Sequence, residues 1–256
     1  MDHLPEGCIS KILSLTSPKD AARSSAVSHI FMSAAESDNV WETFVPSDYQ
    51  QAISGSRSLM VFPSKKQLYF SLCDSPILLD GGKLSLSLDK ETGGKCLMVA
   101  ARNLGIMWGG TPAYWEWLSH SDARFSEVAK LKRISWLDIR GKIGTRMLSK
   151  RTSYCAYLVF KLEDGFYGLI NVKAVVRFAD TESDHEVKKR AKVVHFSEQG
   201  SRARPPLIRS DGWMELKMGN FFNDTGEDGD VEARLMQIRQ NWKHGLIVQG
   251  IEFRPE

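Results

Sequence analysis

Residues 98–118 read MVAARNLGIMWGGTPAYWEWL, and they are followed by ISWLDIRGKIGTRML at 134–148 and TSYCAYLVFKL at 152–162. In the last run apolar and more polar residues alternate over 154–161, the period of two that is expected of strands lying between two layers. Aromatic and β-branched residues are frequent in all three runs, which favours strands over helices. This part of the chain therefore predicts a β-sheet.

Three tryptophans in this stretch, Trp108, Trp115 and Trp117, lie within ten residues of one another around Gly109-Gly110-Thr111-Pro112. A Gly-Gly-Thr-Pro segment cannot continue a strand or a helix, so it predicts a loop between strands. Large rings on a loop form either a local plug or a binding platform. By composition alone, such a cluster is more often part of a core.

The composition of the chain is that of an ordinary globular protein, with 42% apolar and 25% charged residues among 256. The net charge of +3 is too small to indicate a nucleic-acid partner. No run approaches the ~18 apolar residues of a membrane span, and the first residues do not resemble a secretion signal. The four cysteines are far apart and have no C-x-x-C spacing, which favours reduced thiols and a cytoplasmic or nuclear location.

Three parts are predicted along the chain: a helical domain at 1–46, a connector with a short helix at 47–76, and a β-sandwich at 77–256. In the first part apolar residues recur at helical spacing, and Ser17-Pro18 is a strong helix start. In the third part, strand patterns are separated by Gly- and Asp-rich turns, without intervening regular helices. The expected fold class is mainly β, a jelly-roll β-sandwich preceded by a small all-α domain.

A helical unit of fewer than fifty residues is too small to bury an independent core. It is expected to complete its core either on the next domain or on a partner protein, and composition alone leaves both open.

The order of residues in the first 46 positions closely resembles an F-box, through its Leu-Pro, Ser-Pro-x-Asp and Val-Trp landmarks. In that family the helices dock onto the Skp adaptor of SCF ubiquitin ligases. The resemblance implies that the following residues bind the adaptor: Leu4, Pro5, Ile9, Ile12, Leu13, Pro18, Val40 and Trp41.

The chain from about residue 98 to 255 strongly resembles the phloem protein two family and its Nictaba-like lectin relatives. The resemblance is carried by 134–142, by TSYCAYLVFKL, by RSDGWMELKMGNFFND from Arg209, and by GEDGDVEARLM and GLIVQGIEFRP near the end. An F-box before this domain is the arrangement of the F-box phloem-protein branch in plants. The resemblance implies a jelly-roll lectin domain that binds N-acetylglucosamine oligomers or N-glycan cores, as free glycans or on glycoproteins.

A carbohydrate site needs an aromatic platform and a few fixed polar groups, because sugar rings present C–H faces and many hydroxyls. Two carboxylates complete the site in the lectin relatives, and their positions correspond here to Asp230 and Gln237. Because Gln237 lacks the charge, Gln237→Glu is expected to tighten sugar binding. The predicted platform is Trp108, Tyr114, Trp115 and Trp117, whereas Trp136 and Trp213 fall inside strand patterns and are predicted to be core residues.

Other functions receive less support from the sequence. Asp138, Glu163 and Asp164 could be the acids of a glycosidase, but acidic residues at strand ends are usually solvated. The histidines have no metal-ligand spacing, so no metal or other cofactor is expected. The basic run at 188–192 is interpreted as a solvated strand or loop face, with RNA binding or nuclear targeting as a minor alternative.

The predicted function is a non-catalytic substrate-recognition subunit of an SCF ubiquitin ligase that captures glycans. The alternative is a carbohydrate-binding phloem lectin without a ligase role.

Overall fold

A computed structural model of the chain describes residues 4–47, 49, 62–179, 183–197, 206–238 and 241–256. The chain divides into two compact units. The first comprises the chain up to Asp80, the segment Ser85–Cys96 and Pro255, and the second comprises Gly81–Leu84, Leu97–Arg254 and Glu256. Within the described ranges, no helix is both long and apolar enough to cross a membrane.

Helices dominate the first unit. Serine side chains cap three of them by accepting a backbone hydrogen bond, as the Ser17 side chain does from Asp20 with Pro18 in the first turn. The predicted helix start at Ser17-Pro18 is therefore confirmed. The helices are α1 (Glu6–Leu13), α2 (Pro18–Ser24), α3 (His29–Glu36), α4 (Asp38–Trp41) and α5 (Lys65–Asp74).

The core of the first unit forms around Trp41, which is fully buried and donates its indole N–H to the Ala35 carbonyl at 2.6 Å. Its ring lies 5.2 Å from that of Tyr69 on α5, and the Tyr69 hydroxyl donates to the Asp89 carbonyl at 2.9 Å. Asp89 lies in the hairpin that is part of the same unit. The segment predicted as a connector at 47–76 therefore contributes a core helix, because α5 buries Leu68, Tyr69 and Leu72 against α1 and α4.

Strands make up most of the second unit, while β1 and most of β2 belong to the first. They are β1 (Ile77–Leu79), β2 (Leu84–Leu88), β3 (Lys95–Ala100), β4 (Gly105–Ile106), β5 (Trp115–Leu118), β6 (Val128–Leu131), β7 (Leu137–Gly144), β8 (Thr152–Tyr167), β9 (Val172–Phe178), β10 (Lys192–Val194), β11 (Leu207–Ile208), β12 (Met214–Asn223), β13 (Asp230–Gln237) and β14 (His244–Pro255).

Two sheets stack face to face in the second unit. One has the order β3-β14-β8-β12-β11, with β6 paired to β14 and β5 paired to β6, and the other has the order β10-β9-β13-β7-β4. Between them the rings of Phe178 and Phe221 lie 6.1 Å apart, edge to face. Gly219 allows close approach, since a Cβ there would lie 3.0 Å from Val176. The predicted mainly β sandwich, preceded by helices, is confirmed.

One helix of the second unit, α6 (Asp184–Arg190), was not predicted, although its start has a capping box. The Ser183 side chain accepts from the Glu186 N–H, and the Glu186 side chain accepts from the Ser183 N–H. Val187 is buried against Val175 of β9, which anchors the helix to the sheet. The basic run at 188–192 is therefore the end of a helix and the start of β10, rather than a continuous strand or loop face.

Candidate functional site

The tryptophans of the chain fall into two groups. Four of them donate their indole N–H to backbone carbonyls at 2.6–3.1 Å, and these are Trp41, Trp115, Trp117 and Trp213. The other three, Trp108, Trp136 and Trp242, are 51%, 49% and 45% exposed. Their indole N–H groups have no protein acceptor within the described ranges, so among the tryptophans these three present aromatic faces to solvent with a donor still available.

Sheet register places the exposed indoles together. Ile106 of β4 pairs with Ile139 of β7, and the Met107 N–H donates to the Asp138 carbonyl at 2.9 Å, which brings the chain at Trp108 level with Leu137. On the other side of β7, Leu137 pairs with Gln237 at the end of β13. We call this the aromatic end of the sandwich: the end where β4 and β13 finish and β7 begins, carrying Trp108, Tyr114, Trp136 and Trp242.

Trp108 is held on a tight loop that presents its ring outward. Its backbone is left-handed, with φ of 57°, and the Thr111 N–H donates to its carbonyl at 2.9 Å. Few residues other than glycine adopt this conformation without strain, so the surrounding loop must enforce it. The half-buried Tyr114 lies with its ring centroid 5.0 Å from that of Trp108. The two rings pack against each other with a tilt of 35°, and Trp108 remains half-exposed.

Trp115 and Trp117 donate hydrogen bonds to the backbone of the loop that carries Trp108. Trp115 is only 2% exposed and donates to the Met107 carbonyl at 3.1 Å, and Trp117 donates to the Gly109 carbonyl at 2.8 Å. The Arg102 guanidinium lies 3.9 Å over the Trp117 ring and makes two 2.8 Å hydrogen bonds to Glu127. The structure thus brings the four predicted platform residues together, but it leaves Trp115 no exposed face for a ligand.

A second exposed aromatic pair lies at the same end. Ser135, Trp136, Ile238 and Trp242 line a pocket of about 320 Å³. The Arg133 guanidinium lies 4.1 Å over the Trp242 ring. The prediction that Trp136 is a core residue is wrong, because the strand begins one residue later at Leu137 and Trp136 remains outside its alternation. Trp213 is fully buried, as predicted.

A fully buried lysine holds the walls of this pocket. The ammonium of Lys243 donates to the carbonyls of Ser135 and Asn241, both at 2.7 Å, and its backbone pairs with Ile134 in both directions at 3.1 and 2.8 Å. Burial lowers the pKa of Lys243 from its ordinary value of 10.5 to about 8. The lysine therefore joins the segment carrying Trp136 to the segment carrying Trp242.

Gln237 continues this network below the surface. It is 4% exposed, and its amide donates to the Ile170 carbonyl and to Asn241 Oδ1. Asn241 in turn donates to the Gly168 carbonyl at 3.0 Å. Gln237 thus connects the turn after β8 to the segment before β14. It stabilises the aromatic end from inside and does not present a polar group to a ligand.

Asp230 lies far from Gln237. The two residues begin and end β13, seven positions apart, which corresponds to about 23 Å along the strand. Asp230 pairs with Gly144 at the opposite end of the sheet and is exposed. We call this the acidic end, since Glu227 and Asp228 are exposed next to Asp230. The two residues predicted to complete one sugar site therefore cannot contact the same sugar ring.

Two of the acids considered for a glycosidase, Asp138 and Glu163, are each engaged by basic side chains. Asp138 is buried and accepts hydrogen bonds from Arg234 at 2.9 and 2.6 Å and from Arg140 at 3.2 and 3.0 Å. Burial favours a higher pKa for Asp138, but the hydrogen bonds from Arg234 and Arg140 outweigh it and hold the pKa below its usual range. Glu163 is paired with Lys130 at 2.7 Å. Asp138 is therefore an ionised structural group rather than a proton donor.

The predicted adaptor-binding residues separate into two sets. Leu4, Pro5 and Ile12 are exposed, whereas the remaining five are buried in the helical unit because α5 completes its core. Ile12 is thus available to a partner while Ile9, one turn earlier, is not. Residues 1–46 thus do not bury a core alone, and it is α5, in the predicted connector, that completes it. The buried five are Ile9, Leu13, Pro18, Val40 and Trp41, and further exposed apolar residues are Leu15, Val27, Ile30 and Met32.

Comparison with known families agrees with this two-part architecture. The F-box domain model matches residues 1–43, and the phloem protein 2 model matches residues 94–255. The chain belongs to the phloem protein 2 family. Both exposed aromatic pairs lie inside its phloem protein 2 domain, and the exposed Leu4, Pro5 and Ile12 lie inside its F-box.

Relatives in the phloem protein 2 family share both parts. F-box protein PP2-B10 of Arabidopsis thaliana is 46% identical over 263 residues, covering 99% of this chain and 93% of that protein. F-box protein SKIP3 of the same plant is 41% identical over 269 residues, covering 100% of this chain and 88% of that protein. This chain is therefore an F-box protein with a phloem protein 2 domain, similar to plant proteins over its whole length.

Among solved structures, a family 35 carbohydrate binding module from Clostridium thermocellum covers 63% of this chain and 98% of that module, with 10% identity and a TM-score of 0.37. Similarity of this degree indicates neither a shared ligand nor a shared site.

Proposed function

We propose that this protein is the substrate-recognition subunit of an SCF-type ubiquitin ligase. Its F-box would bind the Skp adaptor, and its phloem protein 2 domain would capture glycans or glycoproteins that contain N-acetylglucosamine. Such a subunit catalyses no step itself and raises the effective concentration of its substrate at the ligase. Its expected location is the cytoplasm or the nucleus. The observation that carries the proposal is the pairing of an F-box with a domain that exposes three tryptophans at one end.

Adaptor binding is supported by apolar exposure on a unit whose core is already filled. Leu4 and Ile12 remain 42% and 52% exposed although Ile9 and Leu13 on the same helix are buried. Exposed large apolar side chains that a complete core does not need are typical of protein interfaces. We therefore assign the adaptor contact to Leu4, Pro5 and Ile12, and assign the buried members of the predicted set to stability.

Co-purification with the Skp adaptor tests this assignment. The double variant Leu4→Ala with Ile12→Ala should weaken adaptor binding at least tenfold, because burial of each side chain contributes about 1.5–3 kcal/mol at an interface. Leu78→Ala is the matched control, since Leu78 is equally exposed on β1 of the same unit. Unchanged adaptor binding by the double variant would contradict the assignment and would favour a lectin without a ligase role.

Glycan capture is supported by the paired rings of Trp108 and Tyr114. The half-exposed indole of Trp108, packed against Tyr114 and with an available N–H, can stack on the C–H face of a sugar and donate to one of its hydroxyls. Trp108→Ala should reduce retention on immobilised N-acetylglucosamine oligomers at least tenfold without unfolding the domain, because the side chain is half-exposed. Full retention by this variant would contradict glycan capture at this surface.

A further inference from the structure

We propose that the pocket between Trp136 and Trp242 is a second sugar-ring subsite, so that the aromatic end binds a neutral oligosaccharide extending from the Trp108 surface across the start of β7. The inference rests on the proposed glycan capture and adds residues to it. None of the lining residues Ser135, Trp136, Ile238 and Trp242 belongs to the predicted platform.

The two indole rings that line the pocket are exposed and keep their N–H donors available. Trp136 and Trp242 are each about half-exposed, and neither donates its N–H to another described residue. The buried tryptophan Trp213 of the same domain does donate, to the Asp122 carbonyl at 3.0 Å. Two exposed indoles on one pocket, each with a face and a donor available, match the needs of a ring that has apolar C–H groups and hydroxyls on its two sides.

The chemistry of the described lining residues favours a neutral ligand. Among the part of the chain that the structure describes, the four lining side chains carry no charge, and their polar groups are the Ser135 hydroxyl and the two indole N–H groups. The ammonium of Lys243 lies underneath, but carbonyls of Ser135 and Asn241 surround it and its side chain is fully buried. A phosphate or a carboxylate would find no cation among these four residues, and the neighbouring Arg133 guanidinium is engaged over the Trp242 ring, whereas a polyhydroxylated ring needs no cation.

The size of the pocket suits a small ring. A volume of about 320 Å³ lies at the lower limit of small-molecule sites, which span roughly 300–1,000 Å³. Apolar peptides that dock in grooves usually occupy a longer surface with several anchors. The pocket therefore fits one pyranose ring better than an extended peptide.

The walls of the pocket are preorganised. The backbone pairing of Ile134 with Lys243 and the bond from the Lys243 ammonium to Ser135 fix the two tryptophan-bearing segments to each other. Arg133 lies 4.1 Å over Trp242 and holds its ring. A site that is rigid before binding loses less entropy when it closes on a ligand, and the buried Ile134 and Lys243 supply part of this rigidity.

The register connects the pocket to the Trp108 surface. Trp108 is level with Leu137, directly after Trp136, and Gln237, directly before Ile238, pairs with Leu137 on the other side. Strand spacing places the β4 and β13 ends about 10 Å apart, across the end of β7. This span exceeds one sugar ring, so a single oligosaccharide can contact both aromatic surfaces while a disaccharide at Trp108 cannot fill both.

Titration calorimetry of the full chain with the di-, tri- and tetrasaccharide of β1,4-linked N-acetylglucosamine tests the subsite. In the wild type, affinity should rise at least tenfold from the disaccharide to the tetrasaccharide. Trp136→Ala and Trp242→Ala should each abolish this rise and leave disaccharide affinity within twofold, whereas Trp108→Ala should weaken all three. Trp242→Phe, which keeps a ring, should retain part of the rise.

Phe222→Ala is the matched control, since Phe222 is 51% exposed at the acidic end, and it should change no affinity. A rise that survives in both pocket variants, with melting temperatures at the wild-type value, would overturn the subsite and leave glycan capture at Trp108 standing. A wild type that binds none of the three sugars would overturn both. Pocket variants that lose a protein partner while all sugar affinities persist would also overturn the subsite and identify a protein-docking surface.

Discussion

The two ends of the sandwich differ in what they present, although buried polar side chains order both. At the acidic end, the Asn223 amide donates to the carbonyls of Thr145 and Ser149 at 3.2 and 2.9 Å, and the Thr145 hydroxyl donates at 2.9 Å to the carbonyl of Gly229, in the loop that exposes Glu227 and Asp228. At the aromatic end, Lys243 and Gln237 bond to loop carbonyls in a similar way, and the loops they hold expose indole rings. Similar internal scaffolds thus carry two different surfaces.

The two ends also differ in the free-energy cost of exposing their side chains to water. Carboxylates that are exposed and solvated cost little to display, whereas half-exposed tryptophans leave apolar area in water that a folded protein would otherwise bury. A rigid display of three such rings is therefore evidence for a ligand at the aromatic end. The acidic end gives no comparable signal.

The largest expected effect is that of Lys243→Met. This change leaves the Ser135 and Asn241 carbonyls without their donor, and an unpaired buried polar group costs about 1–3 kcal/mol. The variant should lose about 2–4 kcal/mol of unfolding free energy in chemical denaturation and should lose affinity for the tetrasaccharide. Lys173→Met, at an exposed position of β9, is the control and should change stability by less than about 0.5 kcal/mol.

The lowered pKa of Lys243 predicts how the free energy of unfolding changes with pH. Its pKa is about 8 in the folded protein and near 10.5 when unfolded, so between these values the unfolded chain binds more protons. The unfolding free energy of the wild type relative to Lys243→Met should therefore increase as the pH rises from 8 towards 10.5, and should be flat below pH 8. A difference that decreases over this interval would contradict the burial of the ammonium.

A smaller effect is expected of Gln237→Glu, and its direction is opposite to that expected from the sequence. A carboxylate cannot donate to the Ile170 carbonyl or to Asn241 Oδ1, and its charge would be buried beside two oxygens. The variant should lose roughly 2 kcal/mol of stability at pH 7 and bind sugars more weakly.

The pH response of Gln237→Glu distinguishes this account from a direct ligand contact. Burial should raise the pKa of the new carboxyl above its ordinary value, so its penalty should be smallest at low pH and should grow as the pH rises through the ordinary value of about 4.3. Gln237→Met, which keeps the shape without charge, is the control and should show no such pH response. Tighter sugar binding by the glutamate variant would mean that residue 237 contacts the ligand directly.

The smallest effect is expected of Asp230→Asn. The side chain is exposed at the acidic end, about 23 Å along β13 from Gln237, so the change should alter stability by less than about 0.5 kcal/mol. Tetrasaccharide affinity, measured by calorimetry, should remain within twofold of the wild type. A tenfold loss would place a sugar contact at the acidic end and remove the distinction between the two ends.

Sequence patterns predicted the sandwich because strand alternation in runs such as 152–162 is a local property. They predicted the Trp108 loop for the same reason, since Gly109-Gly110-Thr111-Pro112 cannot continue a strand. They did not identify Trp136 and Trp242 as exposed partners, because that depends on where β7 begins and on a contact between Ile134 and Lys243, more than a hundred residues apart.

Two of the wrong predictions, the shared site of Asp230 and Gln237 and the absence of a helix after Ser183, could have been avoided from the sequence. Asp230 and Gln237 are an odd number of positions apart on a segment that reads as a strand, so period-two alternation already places them on opposite faces as well as at opposite ends. The Ser183-x-x-Glu186 pattern is a capping box and indicates the helix that follows it. The burial of Trp41 could not be predicted in this way, because its ring packs on Tyr69 and Phe70 of α5, which was predicted as part of a connector.

We propose that glycans bind at the aromatic end of this domain and not at its acidic end. Amide hydrogen exchange of the full chain, with and without the N-acetylglucosamine tetrasaccharide, distinguishes the two surfaces. The sugar should add protection in 107–115, 134–137 and 241–244 and leave exchange unchanged in 225–231. Added protection in 225–231, with unchanged exchange around Trp108, Trp136 and Trp242, would place the glycan at the acidic end instead.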